Sequence, residues 1–199
     1  MISETHDNFY VIKNAITDAQ IDILINWFES RTYLTKKNGQ IDIRPDNNWD
    51  PYSAYKQKIS IPVRKTTIIG MPHNTFNFVK DLLENIFYTI SDKPLEIESP
   101  SYFQKYEVGG HHDIHHDIEP GYLNRKYILG FQLSDSDSYT GGNLYIKNSE
   151  GVFSNPCPRD KGCAIIYEPG LMHYVSTITK GTRYAFNECA GKNTVKGAL

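Results

Sequence analysis

The second half of the chain is a succession of short, β-prone runs separated by turn residues, and this pattern limits the fold more than any other feature. Nine such runs follow Pro94, at 95–98, 101–107, 112–117, 126–134, 143–147, 151–154, 163–167, 172–177 and 182–188. Many short strands with regular punctuation are typical of antiparallel sandwiches and barrels. The pattern therefore predicts a mainly β protein with a core of jelly-roll type.

The first half of the chain predicts two helices that flank this core. Thr17 and Gln20 have the spacing of a capping box, and apolar residues recur at helical intervals from about Asp18 to Ser30. A second helical pattern ends near Ile90, and Asn74 is its expected N-cap. Both helices are expected to be scaffold.

A single domain is expected over 1–199, because the chain can bury one sizeable core but is too short for two. Its first part, 1–94, would support the β core at 95–191. Within the first part, 33–58 is polar, rich in Asn, Asp, Pro and Tyr, and without sustained periodicity. Long segments of this kind are often functional lids or simply mobile, so 33–58 is a candidate substrate lid. Its candidate contacts are Trp49, Tyr52 and Tyr55.

Composition and charge exclude several classes of protein. Hydrophobic residues make up 39% of the chain and charged residues 22%, as in soluble globular proteins. The chain has neither an apolar run of about 18 residues nor a secretory pattern at its start, so no membrane span or secretion is expected. The net charge of -2 disfavours general nucleic-acid binding. Three cysteines without CxxC spacing suit a reducing cytoplasm, which is the expected location.

A histidine-rich stretch from Tyr106 to Asp117, YEVGGHHDIHHD, holds four of the seven histidines and two aspartates. Side chains two residues apart share one face of a strand, so a His-x-Asp pair can present an imidazole and a carboxylate to one cation. Two pairs have this spacing, His111 with Asp113 and His115 with Asp117. Neutral imidazole with carboxylate suits iron, zinc or manganese. The stretch therefore predicts half of a metal site.

Three further motifs follow downstream. The segment YTGGN begins at Tyr139 between two strand runs, where glycines can supply unusual backbone angles. Gly162 precedes the run CAIIY, and His173 lies ten residues before Arg183. Taken singly, these would indicate only turns, a structural histidine and a surface charge.

Together the motifs resemble the Fe(II)- and 2-oxoglutarate-dependent dioxygenases, specifically the prolyl 4-hydroxylase-like branch. The family pattern is met, in order, by Tyr106, Gly109, His115, Asp117, Leu133, Ser134, Tyr139, Gly141, Gly142, Gly162, His173 and Arg183. The match covers about 95–191. The resemblance implies a double-stranded β-helix (jelly-roll or cupin-like) core, packed against the N-terminal helices.

The resemblance also implies the metal ligands. In the family the ligand histidine lies nine residues after the tyrosine, which selects His115 and Asp117 over the upstream pair. His115, Asp117 and His173 would then bind Fe(II) as the catalytic centre. Asp117 favours hydroxylation, because relatives that halogenate have a small residue in its place.

The cosubstrate contacts follow from the same resemblance. Arg183 would bind the far carboxylate of 2-oxoglutarate, which its planar guanidinium matches in shape. Tyr106 is expected to hydrogen-bond that carboxylate. Gln132 is a weaker candidate for a cosubstrate contact, and a structural role is equally open. Three positions depart from the family pattern, His112, Asn143 and Cys189, and they affect pocket shape and substrate identity.

The function implied is hydroxylation of a C–H bond with O₂, with ascorbate as a further candidate cofactor. The resemblance to the prolyl 4-hydroxylase-like branch implies a peptidyl proline as the leading substrate, and Arg64 in VRKTT is also loosely similar to a segment upstream of the core in prolyl hydroxylases. Hydroxylation of a free amino acid or other small molecule is the alternative among enzymes. A non-catalytic jelly-roll module that binds a metal or ligand is the alternative of a different class. Zinc hydrolysis is less favoured, because the chain has no HExxH motif.

Overall fold

A computed structural model describes residues 2–35, 39–41, 43–44, 50, 52–91, 95–98, 100–118, 125–153 and 156–191. It contains two α-helices, α1 (Asp18–Ser30) and α2 (Asn77–Ile90), in these residues. The strands in the same residues are β1 (Glu4–Thr5), β2 (Phe9–Ile12), β3 (Ile43–Arg44), β4 (Gln57–Ile61), β5 (Arg64–Met71), β6 (Glu96–Ile97), β7 (Ser101–Tyr106), β8 (His111–His115), β9 (Arg125–Gln132), β10 (Tyr139–Thr140), β11 (Leu144–Ile146), β12 (Ala164–Tyr167), β13 (His173–Val175), β14 (Lys180–Gly181) and β15 (Arg183–Gly191). The predicted mainly β fold is confirmed.

The strands form one large, curled antiparallel sheet. Its order is β1-β2-β12-β9-β15-β7-β5-β8-β13-β11, while β4 extends it from β5 and β6 pairs with β15. Among the described strands, β3 and β4 form a short parallel pair. A second, small sheet consists of β10 and β14. This half-barrel places β8 and β13 side by side, although they are far apart in the sequence.

Helix α1 has the predicted bounds, and its predicted capping box is confirmed. The Thr17 hydroxyl accepts from the Gln20 backbone N–H, and the Gln20 side chain accepts from the Thr17 backbone N–H. The helix buries Ile21, Leu24 and Phe28 against the sheet. Because the buried face follows the apolar spacing, packing and local capping favour the same segment.

Helix α2 begins later than predicted, and the assignment of Asn74 as its N-cap is wrong. Asn74 lies in a 3₁₀ turn at His73–Thr75, and Phe76 occupies the N-cap without a side-chain hydrogen bond. The Phe76 ring stacks on Phe78 with ring centroids 5.6 Å apart. Aromatic packing therefore takes the place of a polar cap at this helix end.

The sheet separates two hydrophobic clusters. One, between the helices and the sheet, includes Phe28, Phe103, Phe131 and Phe186. The other lies inside the curled sheet and includes Tyr106, Ile165, Tyr167 and Cys189. Alternation along β15 sends Phe186 toward the helices, while Arg183, Asn187 and Cys189 line an interior cavity. The strand thus connects the helical support to the candidate site.

The strand predicted at 151–154 is absent from its described residues, 151–153. Gly151 adopts φ +81 and its N–H donates to the Asn148 carbonyl, while the Val152 N–H donates to the Asn148 side chain. A turn with these local hydrogen bonds competes with extended backbone. The short strands β10 and β14 were not predicted, because two residues are too few to show a period.

Parts of the candidate lid, 33–58, fall within the described residues. Tyr33 forms a bridge with Lys56, and β3 pairs with β4. Tyr52 is 77% exposed and Tyr55 is 48% exposed, whereas Trp49 lies outside the described residues. The cavity lining includes no described residue of this segment. The lid therefore stays a prediction.

The two helices of the described residues are short amphipathic elements, 13 and 14 residues long. Among them, none is both long and apolar enough to cross a bilayer.

Candidate metal centre and cosubstrate pocket

Strand pairing brings His115, Asp117 and His173 together. His115 of β8 lies directly opposite His173 of β13, and Asp117 follows two residues after His115. The Nε2 atom of His115 is 3.7 Å from Asp117 Oδ1, and the Nε2 atom of His173 is 3.4 Å from Asp117 Oδ2. One ligand atom from each side chain lies within 4.8 Å of the other two. The geometry is that of a candidate metal centre.

Backbone hydrogen bonds orient both imidazoles. His115 Nδ1 is 2.7 Å from the Asp113 carbonyl, and His173 Nδ1 is 2.9 Å from the Leu171 carbonyl. A carbonyl can only accept, so each Nδ1 carries the proton and each Nε2 is left with a lone pair. Histidine ligands are typically oriented in this way. The donor set therefore fits a divalent metal.

The protonation state of His115 also fits a ligand. Burial, followed by the neighbouring His173, lowers the pKa of His115 to about 4. The imidazole is therefore neutral near pH 7, as metal coordination requires.

Asp117 is held through its backbone and its side chain. Its N–H donates to the Pro169 carbonyl at 2.8 Å, and its carbonyl accepts from Arg125 Nη1 at 3.0 Å. Arg125 in turn donates to both carboxylate oxygens of Glu98. The buried Tyr167 hydroxyl is 3.4 Å from Asp117 Oδ2 and 3.3 Å from His173 Nε2. These contacts orient the carboxylate toward the two histidines.

The upstream pair, His111 and Asp113, does not reach this centre. The ring nitrogens of His111 lie 3.0 Å from the Gly109 and Pro62 carbonyls, and Asp113 is exposed. Of the other histidines in the stretch, His116 is exposed. His112 lines the cavity and stacks on His115 with ring centroids 3.6 Å apart.

Arg183 lies at a different part of the cavity wall. It is only 4% exposed, and its Nη2 and Nε atoms lie 3.0 Å and 3.3 Å from Gln132 Oε1. It pairs across the strands with Tyr106, and its guanidinium is 5.4 Å from the centre of the Tyr106 ring. The Tyr106 hydroxyl donates to the Gln104 side chain. Among the described residues, Arg183 has no acidic partner.

Gly142 leaves room for this arginine. A Cβ at Gly142 would lie 2.3 Å from Ile178 Cδ1 and 3.1 Å from Arg183 Cδ, and the residue has φ +62. A larger residue would therefore clash and strain the backbone. The Gly-Gly pair in YTGGN thus shapes the arginine side of the cavity.

A cavity of about 320 Å³ connects these groups. Its lining includes His115, Asp117, His173, Arg183, Tyr106 and Gln132, which are the six site residues predicted from the sequence. The structure brings all six to one cavity, while their roles as ligands and cosubstrate contacts stay predictions. Asp117 is the one acidic residue among the described residues of the lining.

Comparison with known proteins relates the chain to a group of hydroxylases. No family model matches it. It is 30% identical over 114 residues to a PKHD-type hydroxylase of Hyphomonas neptunium, covering 52% of this chain and 48% of that protein. It is 29% identical over 125 residues to a PKHD-type hydroxylase of Cupriavidus pinatubonensis, covering 59% and 49%. The chain thus spans about half the length of the curated relatives it matches.

Solved structures share the fold over nearly the whole chain. A Pseudomonas putida prolyl-4-hydroxylase matches with a TM-score of 0.61 and 12% identity, covering 94% of each chain. A viral collagen prolyl hydroxylase of Paramecium Bursaria Chlorella virus-1, solved with 2-oxoglutarate, matches with a TM-score of 0.61 and 13% identity, covering 93% of this chain and 96% of that chain. A Trichoplax adhaerens prolyl hydroxylase, in complex with a hypoxia inducible factor peptide fragment, matches with a TM-score of 0.66 and 11% identity, covering 94% of this chain and 84% of that chain.

The chain is thus similar in sequence to PKHD-type hydroxylases and shares the fold of prolyl hydroxylases and of a 2-oxoglutarate/Fe(II) oxygenase. The fold and the sequence relatives agree with the prolyl 4-hydroxylase-like resemblance read from the motifs.

Two residues near the candidate metal centre were not predicted from the sequence. Tyr167 ends the run CAIIY and could have been noticed as a polar end to an apolar strand. Arg125 begins β9, and its contact with the Asp117 carbonyl depends on the tertiary fold. A single sequence carries no local signal for that contact.

Proposed function

We propose that the chain is an Fe(II)- and 2-oxoglutarate-dependent enzyme that hydroxylates a C–H bond. The observation that carries this proposal is the meeting of three donor atoms within 4.8 Å of one another in a cavity that also contains Arg183. A purely structural metal site would not require a buried arginine without an acidic partner. Both features together suit a metal and a dicarboxylate cosubstrate.

In this proposal, His115, Asp117 and His173 would hold Fe(II). When bound, Fe(II) and 2-oxoglutarate supply the oxidising chemistry with O₂ and yield succinate, CO₂ and a hydroxylated product. The Asp113 and Leu171 carbonyls keep the two Nε2 lone pairs directed at the metal.

Arg183 binds the far carboxylate of 2-oxoglutarate. Gln132 holds the guanidinium plane through two contacts with its side-chain oxygen, so the fork is already oriented before the cosubstrate arrives. Tyr106 lies beside the same guanidinium. Its hydroxyl can exchange its bond with Gln104 for one with the carboxylate.

Two substrate classes fit this reaction. A peptidyl proline is supported by the branch resemblance and by the likeness to prolyl hydroxylases, one of which was solved with a peptide fragment. A free amino acid or other small molecule is favoured by Arg64, which lines the cavity and whose Nε atom has no hydrogen-bond partner among the described residues. Arg183 does not support a non-catalytic metal-binding module, because such a module would not require an arginine that is oriented to bind a carboxylate.

Succinate release tests the proposal. Purified protein is supplied with Fe(II), 2-oxoglutarate and O₂, with and without ascorbate, and is offered proline-rich peptides and free amino acids. We expect succinate above the no-metal background, and more of it with a true substrate. Absence of 2-oxoglutarate binding together with tight Zn²⁺ binding would overturn the proposal in favour of a different metal function.

A further inference from the structure

Arg64 is a buried arginine that the proposed chemistry does not use. It begins β5, is only 7% exposed and lines the cavity. Its Nε atom is buried without a hydrogen-bond partner, and the side chain forms no ion pair among the described residues. A buried cationic group without partners is costly, so its retention points to a ligand.

The three arginines of the cavity differ in their partners. Arg125 is neutralised by Glu98, with Nη2 and Oε2 2.9 Å apart. Arg183 is held by the neutral side chain of Gln132. Arg64 has neither kind of contact within the described part of the chain. Two guanidinium charges, on Arg64 and Arg183, therefore face a cavity whose described lining holds one acid, Asp117.

Strand pairing separates the two unneutralised arginines. In the strand register, Arg183 lies opposite Tyr106 of β7, whereas Arg64 lies opposite His112 of β8. The His112 ring stacks directly on His115. Arg64 therefore approaches the metal centre from the side of His115, and Arg183 approaches from another pair of strands.

A charge count for the loaded site indicates what Arg64 binds. In the loaded site the two positive charges of Fe(II) would be offset by Asp117 and by the 2-oxo acid carboxylate of 2-oxoglutarate, and the far carboxylate would be offset by Arg183. Arg125 is already neutralised by Glu98. The charge on Arg64 is the one left over, so an anionic group on the substrate would complete the balance.

We propose that Arg64 binds a carboxylate of the substrate that is hydroxylated. This inference rests on the proposed function and specifies its substrate class. A peptide carbonyl could accept one hydrogen bond from Arg64 but would leave the buried charge without compensation. A carboxylate accepts two parallel bonds from a guanidinium and neutralises it. The carboxylate belongs to a free amino acid, to a peptide C-terminus or to an acidic side chain.

Binding under argon tests this inference without turnover. Protein loaded with Fe(II) and 2-oxoglutarate is titrated with free amino acids, with their carboxamides, and with a proline-rich peptide in free-acid and C-terminally amidated forms. A peptide with an internal aspartate and its asparagine counterpart complete the panel. The readout is the change in the visible band of the Fe(II)–2-oxoglutarate complex. The paired probes identify which source of carboxylate is bound.

We expect at least one acid to bind about tenfold or more tightly than its neutral counterpart in wild-type protein. Arg64→Gln should remove this preference, and Arg64→Lys should retain part of it. The affinity for 2-oxoglutarate itself should change little in both variants. Lys65→Gln is the matched control, because Lys65 is the neighbouring cation on the same strand but is exposed. Thermal unfolding of each variant identifies loss of fold.

Three outcomes contradict the inference. In the first, no probe of the panel binds, or only neutral probes bind. In the second, the preference for an acid is still present in Arg64→Gln. In the third, Arg64→Gln loses tenfold in its affinity for 2-oxoglutarate. The last would make Arg64 a cosubstrate residue. Failure of the proposed function is recognised separately, because the wild-type protein would then show no 2-oxoglutarate band before any probe is added.

Discussion

The Nε2 atom of His173 lies 3.4 Å from Oδ2 of Asp117, although the two residues belong to distant segments of the chain. Their closeness depends on the pairing of β8 with β13 and on the bond from the Asp117 N–H to the Pro169 carbonyl. The protein framework thus assembles the donor set through backbone hydrogen bonds. We infer that metal binding requires little rearrangement of these side chains.

His173→Ala should abolish stoichiometric Fe(II) binding, because it removes the one described donor that comes from β13. The fold should survive, since the backbone pairing of β13 does not use the imidazole. Metal content after anaerobic loading measures the effect. His116→Ala is the matched control, as His116 belongs to the histidine-rich stretch but is exposed. Full iron binding by His173→Ala would reject this ligand assignment.

Arg183→Gln should weaken 2-oxoglutarate binding by at least about tenfold while leaving Fe(II) binding nearly unchanged. The reason is that the variant loses a charge and a bidentate fork, but no donor to the metal. Equilibrium titration of 2-oxoglutarate under argon checks the first part, and metal analysis checks the second. Arg31→Gln serves as the control, because Arg31 is exposed. Equal 2-oxoglutarate affinity in wild type and Arg183→Gln would rule out the carboxylate role.

Tyr167→Phe should reduce metal affinity by roughly tenfold, because outer contacts to metal ligands commonly have effects of this size. The change removes the hydroxyl near Asp117 Oδ2 and His173 Nε2 but keeps the buried ring. Competition with a metal chelator measures the affinity. Tyr174→Phe offers a control on β13, since Tyr174 is not part of the cavity lining. If both variants hold the metal as tightly as wild type, Tyr167 has only a packing role.

Glu188 should make the free energy of unfolding depend on pH. Its carboxylate is buried and accepts from Ser101 Oγ, His73 Nε2 and the Cys189 N–H. Burial raises the pKa of Glu188 above its usual 4.5, against the opposing effects of His73 and Ser101. The folded state therefore holds this proton more strongly than the unfolded chain does. The contribution of this proton to the free energy of unfolding is complete at pH values below the pKa of the unfolded chain, and it is lost as pH rises through the pKa of the folded state.

The glutamine of Glu188→Gln cannot titrate. The free energy of unfolding of this variant should therefore fall less than that of wild type between about pH 4.5 and about pH 7.5. Chemical denaturation at the two pH values measures the difference. His73→Gln is measured beside it, because the Nε2 atom of His73 contacts the same carboxylate. A wild-type-to-variant difference that stays constant with pH would contradict the raised pKa.

Local patterns accounted for much of the fold. The capping box at Thr17 and Gln20 specifies the start of α1, and both residues lie within one helical turn. The spacing of His115 and Asp117 likewise reflects strand geometry over three residues. Such features depend on neighbouring backbone atoms, so a single sequence displays them.

Other features depend on tertiary partners and were not predictable. The burial of Arg64 follows from the pairing of β5 with β8, and the Arg125 contact follows from the approach of β9 to the end of β8. The N-cap of α2 was misassigned because aromatic packing at Phe76 outweighed the preference of Asn74 for a cap. The distant partner decides each of these cases, and local residue preferences do not reveal it.

The central claim is that His115, Asp117 and His173 bind one Fe(II) beside a site for 2-oxoglutarate. Fe(II) is titrated under argon into protein that already contains 2-oxoglutarate, and the visible spectrum is recorded. We predict a weak charge-transfer band that saturates at one iron per chain and is lost in His115→Ala. A band of equal strength in that variant, or no band in the wild-type protein, would contradict the account.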